Sequence, residues 1–168
     1  MKQSSAKQSS APRKRPTREA GERDIEFGEL PSYVGYQVRR TQAKIFGEFA
    51  AKLGEFDFTP GSFGVLTLIR ANPGITQVQL ATAFGVDKST MSPVIVRLER
   101  RGLIRREVLA RDRRCQGLFF EVAREGVFLA ARQKVAAFEA SLAARLSKSE
   151  QRELARLLSK LHAGEGQR

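Results

Sequence analysis

Residues Gly74–Gly117 read GITQVQLATAFGVDKSTMSPVIVRLERRGLIRREVLARDRRCQG, and this stretch decides the fold. Two short helical patterns come first, separated by Phe84-Gly85-Val86-Asp87. After Gly102 an apolar strand pattern runs from Leu103 to Leu109. A basic turn, Arg111-Asp112-Arg113-Arg114, leads into a second strand pattern from Leu118 to Val122. Helix, turn, helix and a two-stranded ribbon with a cationic tip is the layout of a winged helix-turn-helix. Such a unit lays one helix in the DNA major groove and the ribbon tip beside it.

Outward from this stretch the chain is helical. Thr59-Pro60 offers a cap followed by proline at the first helical position. The helix it starts carries Phe63, Val65, Leu66, Leu68 and Ile69, and ends before the breaker Asn72-Pro73-Gly74. Before it, Pro31 marks the start of a first helix with apolar residues at Val34, Val38, Ile45, Phe46, Phe49 and Leu53, and Gly54 marks its stop. Within the central stretch, Thr76 caps the third helix, with Val78, Leu80, Ala81 and Phe84 expected to face inward. Asp87 or Ser89 caps the fourth, whose inner face is Met91, Val94, Ile95 and Leu98. Pro93 would cost about 3 kcal/mol in a helix interior; a start between Asp87 and Ser89 places it near the first turn. Beyond the ribbon, Phe128, Ala131, Val135, Phe138, Leu142 and Leu146 form one stripe. Ser147-Lys148-Ser149-Glu150 is a capping box that opens a last helix lined by Leu154, Leu157, Leu158 and Leu161.

These patterns give a fold class that is mainly α with a small β wing: a winged helix-turn-helix flanked by N- and C-terminal dimerisation helices. The expected divisions are a disordered charged tail at 1–30 and a first dimerisation helix within 31–58. The DNA-binding domain follows at 59–122, then dimerisation helices at 123–163 and a short tail at 164–168. Residues 1–18 carry six cations and no acid among Ser, Gln, Ala and Pro, a composition that buries too little apolar surface to fold. The flanking stripes either pack within the chain or form the interface of a homodimer.

Charge narrows the partners. Among 168 residues, 30 Lys+Arg stand against 18 Asp+Glu, a net of +12. The resulting pI near 10.7 is in the range of nucleic-acid-binding domains. The apolar runs are too short to span a bilayer, and the N-terminal residues lack the apolar core of a secretory signal. One cysteine, Cys115, leaves no intramolecular disulfide and fits a reducing cytoplasm. With His162 as the only histidine, a zinc site or Cys/His pair has almost nothing to use. No phosphate-cradling glycine loop or nucleophile-base pair is visible, so neither an enzyme nor a cofactor is expected.

Lys88, Ser89, Thr90, Ser92, Val96 and Arg97 lie opposite the inner face of the fourth helix. Hydroxyls there suit phosphates and base edges, and arginine can reach guanine bidentately. Gln77 at the start of the third helix is placed to touch a phosphate. In the ribbon turn, Arg111, Arg113 and Arg114 are expected to probe the minor groove, where narrow A·T-rich DNA deepens the negative potential. Asp112 would accept turn N–H bonds or orient an arginine.

The run GVDKSTMSPVIVRLERRGLIRRE, then ARDRR, then Glu125-Gly126 resembles the MarR family of bacterial transcriptional regulators, over about Pro31 to Ala163. The family's Asp-x-Arg wing signature matches Asp112-Arg113-Arg114. The resemblance implies a homodimer whose recognition helices each meet one half of a pseudo-palindromic operator in double-stranded DNA. Ser89, Thr90, Ser92 and Arg97 fall on that helix, and Arg114 is the wing arginine. Pro93 departs from the commoner pattern and puts the docking angle and the role of Ser92 in question.

Family members often bind a small aromatic or anionic effector between their two domains. Tyr36, Arg39, Arg40 and Phe63 would contact it, with the alternative that Phe63 is core and the arginines are solvated. The sequence from Tyr36 to Phe63 is similar to members that respond to hydroxycinnamate-type acids or their coenzyme A thioesters. Two other readings stand beside this one. A redox-responsive regulator would use Cys115, whose arginine neighbours favour thiolate, although peroxide-sensing members carry their cysteine in the first helix. A sequence-independent architectural DNA-binding protein would share the charge but not need the long flanking helices.

Overall fold

The computed structural model describes residues 25–109 and 112–163; for residues 112–114 and 162 the description is of the backbone. Residues 1–24 and 164–168, which hold most of the expected tails, and Ala110-Arg111 lie outside the described residues. The helices are α1 (Val34–Leu53), α2 (Pro60–Ala71), α3 (Gln77–Phe84), α4 (Lys88–Arg100), α5 (Glu125–Ala143) and α6 (Lys148–His162). The strands are β1 (Ile75–Thr76), β2 (Ile104–Leu109) and β3 (Asp112–Phe120), antiparallel in the order β1-β3-β2. The winged helix-turn-helix expected from the sequence is present.

Two compact units divide at Gln37/Val38. In the first, Pro31 does not start the first helix. It lies in a 3-10 turn, Leu30–Ser32, and the helix begins at Val34. The reason is local bonding: Ser32 Oγ donates to the Glu29 carbonyl at 2.7 Å and Tyr33 OH to the Glu29 carboxylate at 2.8 Å. Tyr33 itself is extended, so the helix must restart after it.

The second unit holds the core. Phe49 and Leu53 of α1 join Phe63, Val65, Leu66 and Ile69 of α2, Leu80 of α3, and Met91, Ile95 and Leu98 of α4. Leu103, Ile104 and Leu118 enter from the sheet and Phe128, Ala131 and Phe138 from α5. Rings link the layers: Phe63 stacks on Phe128 at 5.7 Å, and Phe49 meets Phe138 edge-on at 5.6 Å. Each such pair contributes about 0.5–1.5 kcal/mol beyond its buried area.

The expected caps form. Thr59 accepts from the Ser62 N–H, Thr76 from that of Gln79 and Ser147 from that of Glu150, each closing a capping box. Three expectations change. On α3 only Leu80 and Ala81 are buried, while Val78 is 58% and Phe84 36% exposed. At about 100° per residue Val78 lies about 200° round the helix from Leu80, on the opposite face, and the Phe84 ring, near the end of α3, covers Gly64 of α2. Pro93 is the sixth residue of α4, inside the helix rather than in its first turn. The second ribbon strand begins at Asp112, with Leu109 opposite Asp112 and an irregularity between Val108 and Leu109, and it stops at Phe120. Val122 instead starts a 3-10 turn, Val122–Arg124.

Strand β1 was not legible in the sequence. It forms where Gly74 and Gly117 let two backbones approach: a Cβ on Gly117 would sit 2.9 Å from the Gly74 Cα. Gly74 also has φ +83°, which disfavours any residue with a side chain. The Gly74 N–H donates to the Leu118 carbonyl at 2.9 Å and ties the start of α3 to the wing.

Candidate nucleic-acid interface

Asp87 caps α4 and organises its first turn. Its carboxylate accepts from Ser89 Oγ at 2.5 Å and from the Thr90 N–H at 2.7 Å. The Ser89 hydroxyl first, then the Thr90 amide, hold the Asp87 carboxyl below its usual range. Ser89 therefore has its proton committed to Asp87 and meets any ligand as an acceptor. Gln77 Nε2 donates to the Lys88 carbonyl at 3.0 Å, so its amide joins the starts of α3 and α4.

Along α4, Met91, Ile95 and Leu98 are buried while Ser89, Thr90, Pro93, Arg97 and Arg100 are exposed; Ser92 and Val96 are half-buried. At about 100° per residue, Ser89, Pro93 and Arg100 point most directly away from the core. Sequence reasoning did not single out Pro93 or Arg100 as contacts, although stepping the helix from its buried face would have found both.

The basic residues divide by what they touch. Arg97 pairs with Asp57, which follows the 3-10 turn Gly54–Phe56 between α1 and α2. Arg101 donates to the Phe56 and Asp57 carbonyls and lies 4.6 Å from the Phe58 ring centre; burial lowers its pKa. Arg106 bonds Glu99 at 3.0 Å, and Arg105 bonds Glu107 at 2.6 Å. Among the described residues, Lys88 at one end of α4 and Arg100 at the other form no ion pair. The side chains of Arg113 and Arg114, and all of Arg111, lie outside the described residues.

Between the starts of α3 and α4 and the ribbon lies an open groove of about 470 Å³. Its lining includes Gln77, Lys88, Arg106 and Cys115. A groove with cations on both walls, beside an exposed helix face, is suited to a phosphodiester strand.

Arg39 and Arg40 are exposed on α1, and Tyr36, on the same helix, lies 6.3 Å from the Phe27 ring. Phe63 is buried, edge-on to Phe58 and stacked on Phe128, so its ring belongs to the core.

A sequence model of the MarR family matches residues 58–116, which span α2, α3, α4 and most of the ribbon. A putative transcriptional regulatory protein for the hcr operon of Thauera aromatica is 35% identical over 142 residues, 83% of this chain and 84% of that protein. The chain belongs to the MarR family. It is thus a MarR-type transcriptional regulator, and solved MarR-type repressors share its fold. The repressor CouR bound to a 23-mer DNA duplex aligns with TM-score 0.75 and 29% identity, over 83% of this chain and 99% of that one. CouR bound to p-coumaroyl-CoA aligns with TM-score 0.75 and 28% identity, over 84% and 99%. No helix among the described residues is long and apolar enough to cross a membrane.

Proposed function

We propose that this regulator is a ligand-responsive repressor that binds a pseudo-palindromic operator as a homodimer. A small aromatic acid or its coenzyme A thioester releases it. The observation that carries the reading is the outward face of α4, with Lys88 and Arg100 at its ends and the basic ribbon beside it. Lys88, Thr90 and Ser92 are the proposed helix contacts, with Ser89 accepting and Gln77 at the groove wall. Arg97 joins them by leaving Asp57, and Arg111, Arg113 and Arg114 of the wing enter the minor groove.

The proposed dimer uses the flanking helices, 31–58 and 123–163, around a DNA-binding domain at 59–122. Supporting it, Leu154, Leu157, Leu158 and Leu161 of α6 are each more than two-fifths exposed, as are Val38 and Phe46 of α1. Six large apolar side chains left in water on two helices favour association.

For the effector, Arg39 and Arg40 are the proposed anion contacts and Tyr36 a stacking one; Phe63 takes part only if its stacking on Phe128 opens. The likeness to CouR supports an aromatic thioester. Release requires the ligand to prefer the unbound geometry, by about 10⁴-fold to shift occupancy from 99:1 to 1:99.

The test is a fluorescence-anisotropy titration on the DNA upstream of the protein's own gene, repeated with aromatic acids and acyl-coenzyme A compounds. The reading requires tight binding that one compound class reverses. Binding indifferent to every compound removes the ligand-responsive part. Equal affinity for random duplex leaves a sequence-independent DNA protein.

A further inference from the structure

Pro93 breaks the local rules of its helix without a packing return. It lies inside α4 and has no N–H to give to the Ser89 carbonyl. Such a residue costs about 3 kcal/mol relative to alanine in an ordinary helix interior. Burial does not offset this cost, because Pro93 is exposed while Met91, Ile95 and Leu98 fill the core on the opposite side. A local rule broken on an exposed surface points to function rather than to folding.

Its neighbours show what kind of function. Ser89, one turn before, has its hydroxyl proton committed to Asp87. Val96, one turn after, is half-buried, and Arg97 is held by Asp57. Lys88 and Arg100 stand at the two ends of the helix, where they can hold phosphates. Between the accepting Ser89 hydroxyl and Arg100, the outward face thus presents the rigid Pro93 ring, whose side chain has no hydrogen-bonding atom. In the major groove the apolar feature that distinguishes one base pair from another is the 5-methyl group of thymine.

We propose that Pro93 is a specificity-determining residue whose ring packs against a thymine 5-methyl in each half of the operator. The proposal rests on α4 being the helix that reads the major groove. Proline suits the task because its ring has no rotamer freedom to lose on contact.

The test first selects preferred duplexes from a random pool with the full-length protein. Each thymine of the selected site is then replaced by deoxyuridine, which removes the methyl and keeps every hydrogen-bonding group. Loss of one buried carbon weakens binding by about fourfold. At least one thymine in each half-site should show that loss with the wild type. The same replacement should change binding of Pro93→Ala by less than about twofold, the coupling expected when two groups touch. Pro93→Ala restores a helix-favouring residue, so its Tm should stay level or rise, and weaker binding cannot be blamed on unfolding.

Equal deoxyuridine effects in the wild type and Pro93→Ala, or none in either, overturn the proposal and leave α4 as the reading helix. A pool that yields no preferred duplex overturns sequence-specific reading itself, and this proposal with it.

Discussion

Asp57→Asn tests whether Arg97 is a DNA contact held in reserve or a brace between helices. Asp57 sits in the left-handed region, φ 51° and ψ 42°, which asparagine also tolerates, so the turn should survive. The Arg101 bonds to the Phe56 and Asp57 carbonyls involve backbone acceptors and remain. Both members of the Arg97–Asp57 pair are at least half exposed, so losing it should cost less than about 1 kcal/mol of stability. Removing one surface anion beside the duplex is worth about 1 kcal/mol of DNA attraction, roughly fivefold in affinity at low salt. If Arg97 then meets a phosphate, the slope of log affinity against log salt should steepen by about 0.9. Anisotropy titrations across a salt series measure both quantities. The expected signature is opposite signs: Asp57→Asn tightens binding and Arg97→Ala weakens it. If both weaken binding without changing the salt slope, the pair is only a brace and Arg97 leaves the list of contacts.

Arg114→Ala should weaken operator binding at matched salt and leave oligomeric state unchanged in sedimentation velocity; unaltered affinity would remove the wing from the interface. Leu157→Glu combined with Leu161→Glu should dissociate the proposed dimer while keeping the helical circular-dichroism signal. A dimer that persists through both changes would place the interface elsewhere. Asp87 carries a pH effect: its folded pKa is lowered, so its cap stabilises fully above the unfolded value and is lost as pH falls through the folded one. Asp87→Asn should flatten the acid limb of Tm against pH, and an unchanged limb would show that the charge of the cap is immaterial.

Signals confined to a few neighbouring residues were legible. Thr59, Thr76 and Ser147 each cap a helix because cap and partner lie three residues apart. The buried face of α4 follows from the spacing of Met91, Ile95 and Leu98. What depends on distant chain was not legible. Strand β1 exists because Gly74 meets Gly117, 43 residues later in the chain. At the site, the sequence put Arg97 on the outward face of the fourth helix but could not show what holds it. Its partner, Asp57, lies 40 residues before it. For Phe63 the sequence left two readings open, a ligand cleft or the core. Contacts with Phe58 and Phe128 put its ring in the core.

The most direct test of the account is a competition assay at physiological salt, with labelled DNA from the protein's own promoter challenged by unlabelled promoter and by random duplex. A regulator that reads sequence through α4 should be displaced by promoter DNA at a concentration at least about 10³-fold below that needed with random duplex. Equal displacement by both would contradict sequence-specific recognition.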